Sequence, residues 1–195
     1  ALEQYNRIID GITNENRKEL RHCHSALKEE QAQLKKFRRK ELLAMRRIPA
    51  PIAIERNTWF HLGANSNQQF MYCLRRMLDP VKEHVDNNFN PLPQAYIDEF
   101  EGVRRKVNEL MSHTEEMIST NRYELYQDTL NIADECKDEL SVMRKHVIDT
   151  MYRDDSANLK VSLLYLNLLQ ESQEFLSIMR HQLRAARKFL DTTER

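Results

Sequence analysis

Turns are scarce in this chain. Its 195 residues hold 3 glycines and 5 prolines. A β-sandwich or barrel reverses roughly every ten residues and draws on turn formers each time. So few breakers leave long helices joined by few turns as the consistent solution, and the fold class read from the sequence is all-α. A length below 200 residues suits one compact domain or part of a larger protein. Thirty Lys and Arg balance thirty Asp and Glu, which argues against a general nucleic-acid binder with its basic face. No apolar run reaches the roughly 18 residues of a membrane span. Cys23, Cys73 and Cys136 are isolated and lack Cys-x-x-Cys spacing. They read as reduced thiols in a cytosolic setting, neither a disulfide frame nor a zinc site. The opening residues Ala1–Tyr5 have helical character, no initiator methionine and no leader pattern. A piece of a longer polypeptide is therefore expected.

Residues 1–47 are dense in Lys, Glu, Gln, Arg and Leu, all strong helix formers. A thin apolar stripe (Tyr5, Ile9, Ile12, Cys23, Leu27, Leu34, Phe37) predicts one long peripheral helix with a narrow buried seam. Asn16 and Glu30 interrupt the stripe, and Gly11 weakens the helix locally. Ile48-Pro49-Ala50-Pro51-Ile52 predicts a break, giving a Pro-rich linker over 48–56. Residues 57–195 then form the bundle. Its first helix runs to about Asn88, with Phe60, Ala64, Phe70, Leu74, Met77, Val81 and Val85 inward, Trp59 anchoring its entry and Pro80 bending it. Asn87–Pro93 is a rigid turn. Over 94–119, Tyr96, Phe100, Val103, Val107, Leu110, Thr114 and Met117 alternate spacings of four and three, a stripe that packs at a shallow angle. Asn121 and Glu124 read as a capping box opening the next helix, which buries Tyr126 to Val147. Asp154-Asp155-Ser156 offers caps for a last helix over 157–191. Its Val161–Leu169 stretch is apolar nearly all round and must be surrounded by other helices. The sum is an elongated antiparallel bundle of about five long helices.

Three scattered glycines cannot build a phosphate-cradling loop, and neither a Gly-x-Ser-x-Gly elbow nor His-Glu-x-x-His is present. Nothing in the sequence calls for an enzyme, and no cofactor is expected. Carboxylates one helical turn apart, Asp134 with Asp138 and Glu171 with Glu174, are the candidate metal ligands. A divalent or ferric ion is what they would take, and a solvated charged face is the competing reading. Glu171 and Glu174 interrupt an otherwise buried helix, and a buried carboxylate needs a partner. A ferritin-like site would need Glu-x-x-His pairs, but Glu171 is followed by Glu174 and Glu83 by Asp86. Seven scattered histidines read as satisfied or surface groups. The basic cluster Lys35, Lys36, Arg38, Arg39, Lys40, Arg46 and Arg47 is opposed only by Glu41. It is the candidate contact with a membrane surface or a partner, set against a solvated helix end whose cations suit the C-terminal dipole. Arg180, Arg184, Arg187 and Lys188 form a second cluster for which the solvated face is favoured. Asn65, Asn67, Gln68 and Gln69 predict a polar seam or an interface.

The order of pieces from Pro93 to Leu190 resembles a PhoU-type repeat, the three-helix unit of phosphate-uptake regulators. The segments that carry the likeness are Leu110–Glu116, Ala133–Asp138 and Leu163–Glu174, with residues 57–90 similar to the closing helix of a preceding repeat. Ala1–Asn6, Glu15–Leu20, His84–Asn88 and Leu168–Glu174 look like the soluble tail of bacterial inorganic phosphate transporters of the PiT type.

The resemblance implies a cytoplasmic regulatory domain at the inner membrane. Its partner would be the transmembrane portion of the same transporter, and a homodimer is compatible. A free-standing PhoU-like regulator or an oligomerising helical scaffold is the alternative. The family holds metal through carboxylates four apart on its closing helices. Here Glu171 is followed four later by Phe175 and Glu83 by Asn87, so both helices depart from that motif.

Overall fold

The computed structural model describes residues 1–45, 50–153 and 158–191. Every regular element among them is an α-helix: α1 Leu2–Thr13, α2 Arg17–Met45, α3 Ala50–Asp86, α4 Gln94–Thr120, α5 Tyr126–Arg153 and α6 Leu159–Asp191. The expected all-α class holds, with six helices in place of five. None is long and apolar enough to cross a membrane.

The extra helix comes from residues 1–47, which are not one peripheral helix. They turn back at Asn14–Asn16, where Glu15 takes a left-handed φ of 48°. Asn14 closes α1 by donating its backbone N–H to the Asp10 carbonyl. The Asn16 side chain accepts from the Glu19 backbone N–H at 3.1 Å and so caps α2. The residue read as an interruption is a helix start. Nor is α1 peripheral, since Tyr5 and Ile8 are fully buried.

Gly11 has a packing role that its low helix propensity hides. A Cβ there would lie 2.4 Å from Leu20 Cδ2 and 2.7 Å from its Cγ. Leu20 is fully buried, so moving its side chain would displace packed neighbours. The missing side chain is what lets α1 and α2 approach. Gly11→Val should therefore overpack this contact and lower stability by about 1–3 kcal/mol, read as a fall in the thermal unfolding midpoint.

The expected linker over 48–56 is also corrected, because α3 has begun by Ala50. Pro51 falls in the first turn of that helix. There the missing N–H is one that would have no helical acceptor anyway. Pro80 lies inside α3 without ending it. Asn88 has φ 52° in the turn that follows.

Asn121 is a further correction. It sits at φ 55°, ψ 30° as the left-handed C-cap of α4, and α5 starts only at Tyr126. Asp154–Ser156 lies outside the described residues. The cap seen on α6 is Asn158, whose side-chain oxygen accepts from the Val161 N–H at 3.3 Å.

The helices fall into two sets of three. α1, α2 and α3 all touch one another, and so do α4, α5 and α6. Between the sets the backbones approach closely in like-placed pairs, α3 with α6 and α1 with α4, and the Tyr5 side chain of α1 also reaches Ser172 and Phe175 on α6. The most extensive of all these contacts is α3 with α6. Along it Asn67 meets Gln182, Phe70 meets Phe175 and Arg76 meets Glu171, so the two helices run in opposite directions. The α4 stripe is buried as expected from Phe100 to Met117. Val161, Leu164, Tyr165, Leu168 and Leu169 are buried too, with Leu163 left exposed.

Candidate functional site

The contacts just described order the two ends of the bundle. At one end the Arg17 guanidinium donates to the Val85 carbonyl, joining the start of α2 to the finish of α3. At the other the Arg38 guanidinium donates to the Gln68 side-chain oxygen at 3.0 Å. Beside it Gln182 donates to Asn67 at 2.9 Å, which brings the finish of α6 to the same place. Of the four amides read as a polar seam, Gln68 thus ties α3 to α2 and Asn67 ties it to α6, while Asn65 and Gln69 are exposed.

This second end carries the basic cluster. Lys35, Lys36, Arg38, Arg39 and Lys40 are all exposed on α2. Arg46 and Arg47 lie outside the described residues. Among the described residues none of these five cations pairs with a carboxylate. Leu34 is the last α2 residue packed on the core. Phe37, expected in the buried stripe, is instead 56 % exposed, and Leu43 is 61 % exposed. Among the described residues α3 offers Phe37 only the edge of a groove, at Ala64, Asn67 and Met71, so the ring stays more than half in solvent.

A groove of about 440 Å³ opens at the same end. Trp59, Phe60, Ile118, Ala186, Phe189 and Leu190 supply its apolar lining. Trp59 is only half-buried, so it lines this groove and does not anchor the core. Phe60 and Ala64 are likewise half-buried, and the α3 core begins at Phe70. The second basic cluster has mostly internal partners. Arg180 pairs with Asp134, the Arg187 guanidinium lies 4.2 Å from the Tyr126 ring centre, and Lys188 reaches Asp191 at 3.8 Å.

The four carboxylate candidates do not converge. Glu171 is buried and its oxygens accept from Arg76 at 2.8, 2.9 and 3.0 Å. Arg76 in turn is held more firmly in its charged form, chiefly by that hydrogen-bonded carboxylate. Asp134 serves Arg180, while Glu174 and Asp138 are exposed. Among the described residues no group of three or more His, Cys, Asp or Glu is placed to hold a metal ion. The need for a partner at Glu171 was legible in the sequence, but the identity of Arg76 was not. Arg76 lies 95 positions away, and nothing in its own Leu-Arg-Arg-Met stretch points to Glu171.

All three cysteines are free and buried. Burial pushes the Cys23 thiol up to about 12 and that of Cys136 up to about 11, and it raises Cys73 as well. The Cys73 thiol donates to the Glu171 carbonyl at 3.2 Å. His84 is a satisfied core histidine, its Nε2 lying 2.8 Å from the Asn90 carbonyl oxygen.

No known protein family, no curated protein and no solved structure matches this chain.

Proposed function

We propose that this chain is a regulatory helical domain of an inorganic phosphate transporter, PhoU-like in build, acting on the membrane portion of that protein from its cytoplasmic face. The observation that carries this reading is the division into two three-helix sets whose backbones approach each other in like-placed pairs, α1 with α4 and α3 with α6. Two copies of a three-helix repeat, facing each other across their third helices, would make this pattern of contacts. The sequence segments similar to phosphate-transporter tails fall in both sets. The basic end is the end turned toward the membrane. The domain would bias the transporter between conformations by touching one more favourably than the other.

The test uses the full-length transporter. Removing this chain from it is expected to change phosphate uptake, or its response to external phosphate, in cells grown at low and at high phosphate. Uptake unchanged at every phosphate level refutes the proposal.

A further inference from the structure

The α2 tip poses a physical question. From Lys35 to Met45 the helix continues for about three turns beyond its last core residue, Leu34. A helix of this length has little stability by itself in water and normally gains it by packing an apolar face. Here the described apolar side chains, Phe37 and Leu43, are left in solvent. Five cations crowd Lys35–Lys40, without carboxylate partners among the described residues. Its side-chain tie to α3 is Arg38 to Gln68, and charge repulsion along one short stretch adds to the cost of so sparsely packed a helix. Such a segment is stabilised by something that supplies negative charge and an apolar layer together.

We infer that the tip of α2 lies on an anionic membrane surface, with Lys35, Lys36, Arg39 and Lys40 among the headgroups and Phe37 and Leu43 entering the boundary with the acyl chains. This deepens the proposed function and leans on it only for the presence of a bilayer beside the domain. Charge complementarity is the first support, since headgroup phosphates supply what these cations lack. The exposed ring and isobutyl group in the same stretch are the second. Side chains of this type anchor interfacial helices beneath a basic face.

The experiment is co-sedimentation of the 195-residue chain with vesicles of mixed phosphatidylcholine and phosphatidylglycerol, and with vesicles of phosphatidylcholine alone. Binding is expected to the first and not the second, and it should vanish at about 1 M salt, where the screening length falls to about 3 Å. The triple variant Lys35→Gln, Lys36→Gln, Arg39→Gln keeps good helix formers at exposed positions, and its unchanged helicity and unfolding midpoint can be checked directly. It should bind roughly a hundredfold more weakly, from about fivefold for each cation lost near the surface. Phe37→Ser should also weaken binding while leaving the salt dependence in place. Failure to bind anionic vesicles, equal binding to both kinds, or wild-type binding by the triple variant overturns the inference. So does capture by the detergent-solubilised membrane portion without any vesicle binding, which would assign the tip to a protein surface. The uptake experiment above is unaffected by any of these results, so the two proposals fail separately.

Discussion

Phe175→Ala is expected to lower the stability of the chain by about 3–5 kcal/mol, the range for truncating a fully buried ring. Phe175 is wholly inaccessible to solvent on α6. Its ring centre lies 5.1 Å from that of Tyr5 on α1 and 4.7 Å from that of Phe70 on α3. One side chain therefore ties three helices, and it ties the second set of three to the first. Few of its neighbours can close the gap left behind. Tyr5 is held by the 3.1 Å hydrogen bond between its hydroxyl and that of Ser172, and Phe70 sits in the middle of a long helix. Urea unfolding followed by circular dichroism would read the loss. Heating would show a drop in midpoint on the order of 10 °C for a chain of this size. Phe37→Ala removes the same ring from an exposed position and should stay within about 0.5 kcal/mol. If the two variants unfold alike, the placement of Phe175 at the junction is wrong.

Arg76→Met is the second large effect. It strips the partner from a carboxylate that is nearly inaccessible. Removing one member of a wholly buried pair costs about 3–5 kcal/mol. The Arg76 side chain is 51 % exposed, so water can approach the orphaned oxygens and the expected loss is smaller, about 2–3 kcal/mol. The informative comparison is the double variant Arg76→Met, Glu171→Leu. With both charges gone, no desolvated carboxylate remains, and the apolar pair can pack between α3 and α6. The double variant should be more stable than Arg76→Met alone, with the urea midpoint returning most of the way to wild type. A double variant weaker than the single one would mean that the carboxylate is held chiefly by other groups.

What the sequence revealed about this fold follows from how local each signal is. The α4 stripe from Phe100 to Met117 repeats the same spacing for several turns, and no distant residue is needed to read it. Most of the apolar run Val161–Leu169 declared its burial in the same way, Leu163 being the exception. Boundaries depended on single residues and were less legible. Asn-x-x-Glu occurs at Asn16–Glu19 and at Asn121–Glu124. The first caps α2, whereas in the second Asn121 adopts the left-handed conformation that ends α4. Asparagine serves both purposes because its short amide can cap a helix and its backbone tolerates positive φ. Which role it takes is set by where the neighbouring helices must go. Proline is similarly ambiguous, since Pro51 lies in a first helical turn and Pro80 lies within the same helix. Gly11 looked like a weakness because its reason, Leu20, belongs to another helix. The candidate site was legible as a charge pattern, Lys35 to Lys40. The exposure of Phe37 was not, since a stripe in one helix says nothing about whether a partner helix exists beside it.

The hydrogen bond between Tyr5 and Ser172 joins residues 167 positions apart. α1 leaves the ribosome well before α6 has been made, and synthesis proceeds at about 5–20 residues per second. For that interval the faces of α1 and α3 that will receive Phe175 have no cover. A nascent chain in this state is a target for chaperones that hold apolar surface. It is α6 that ends the exposure, so a message cut short before it yields a product that cannot close this core.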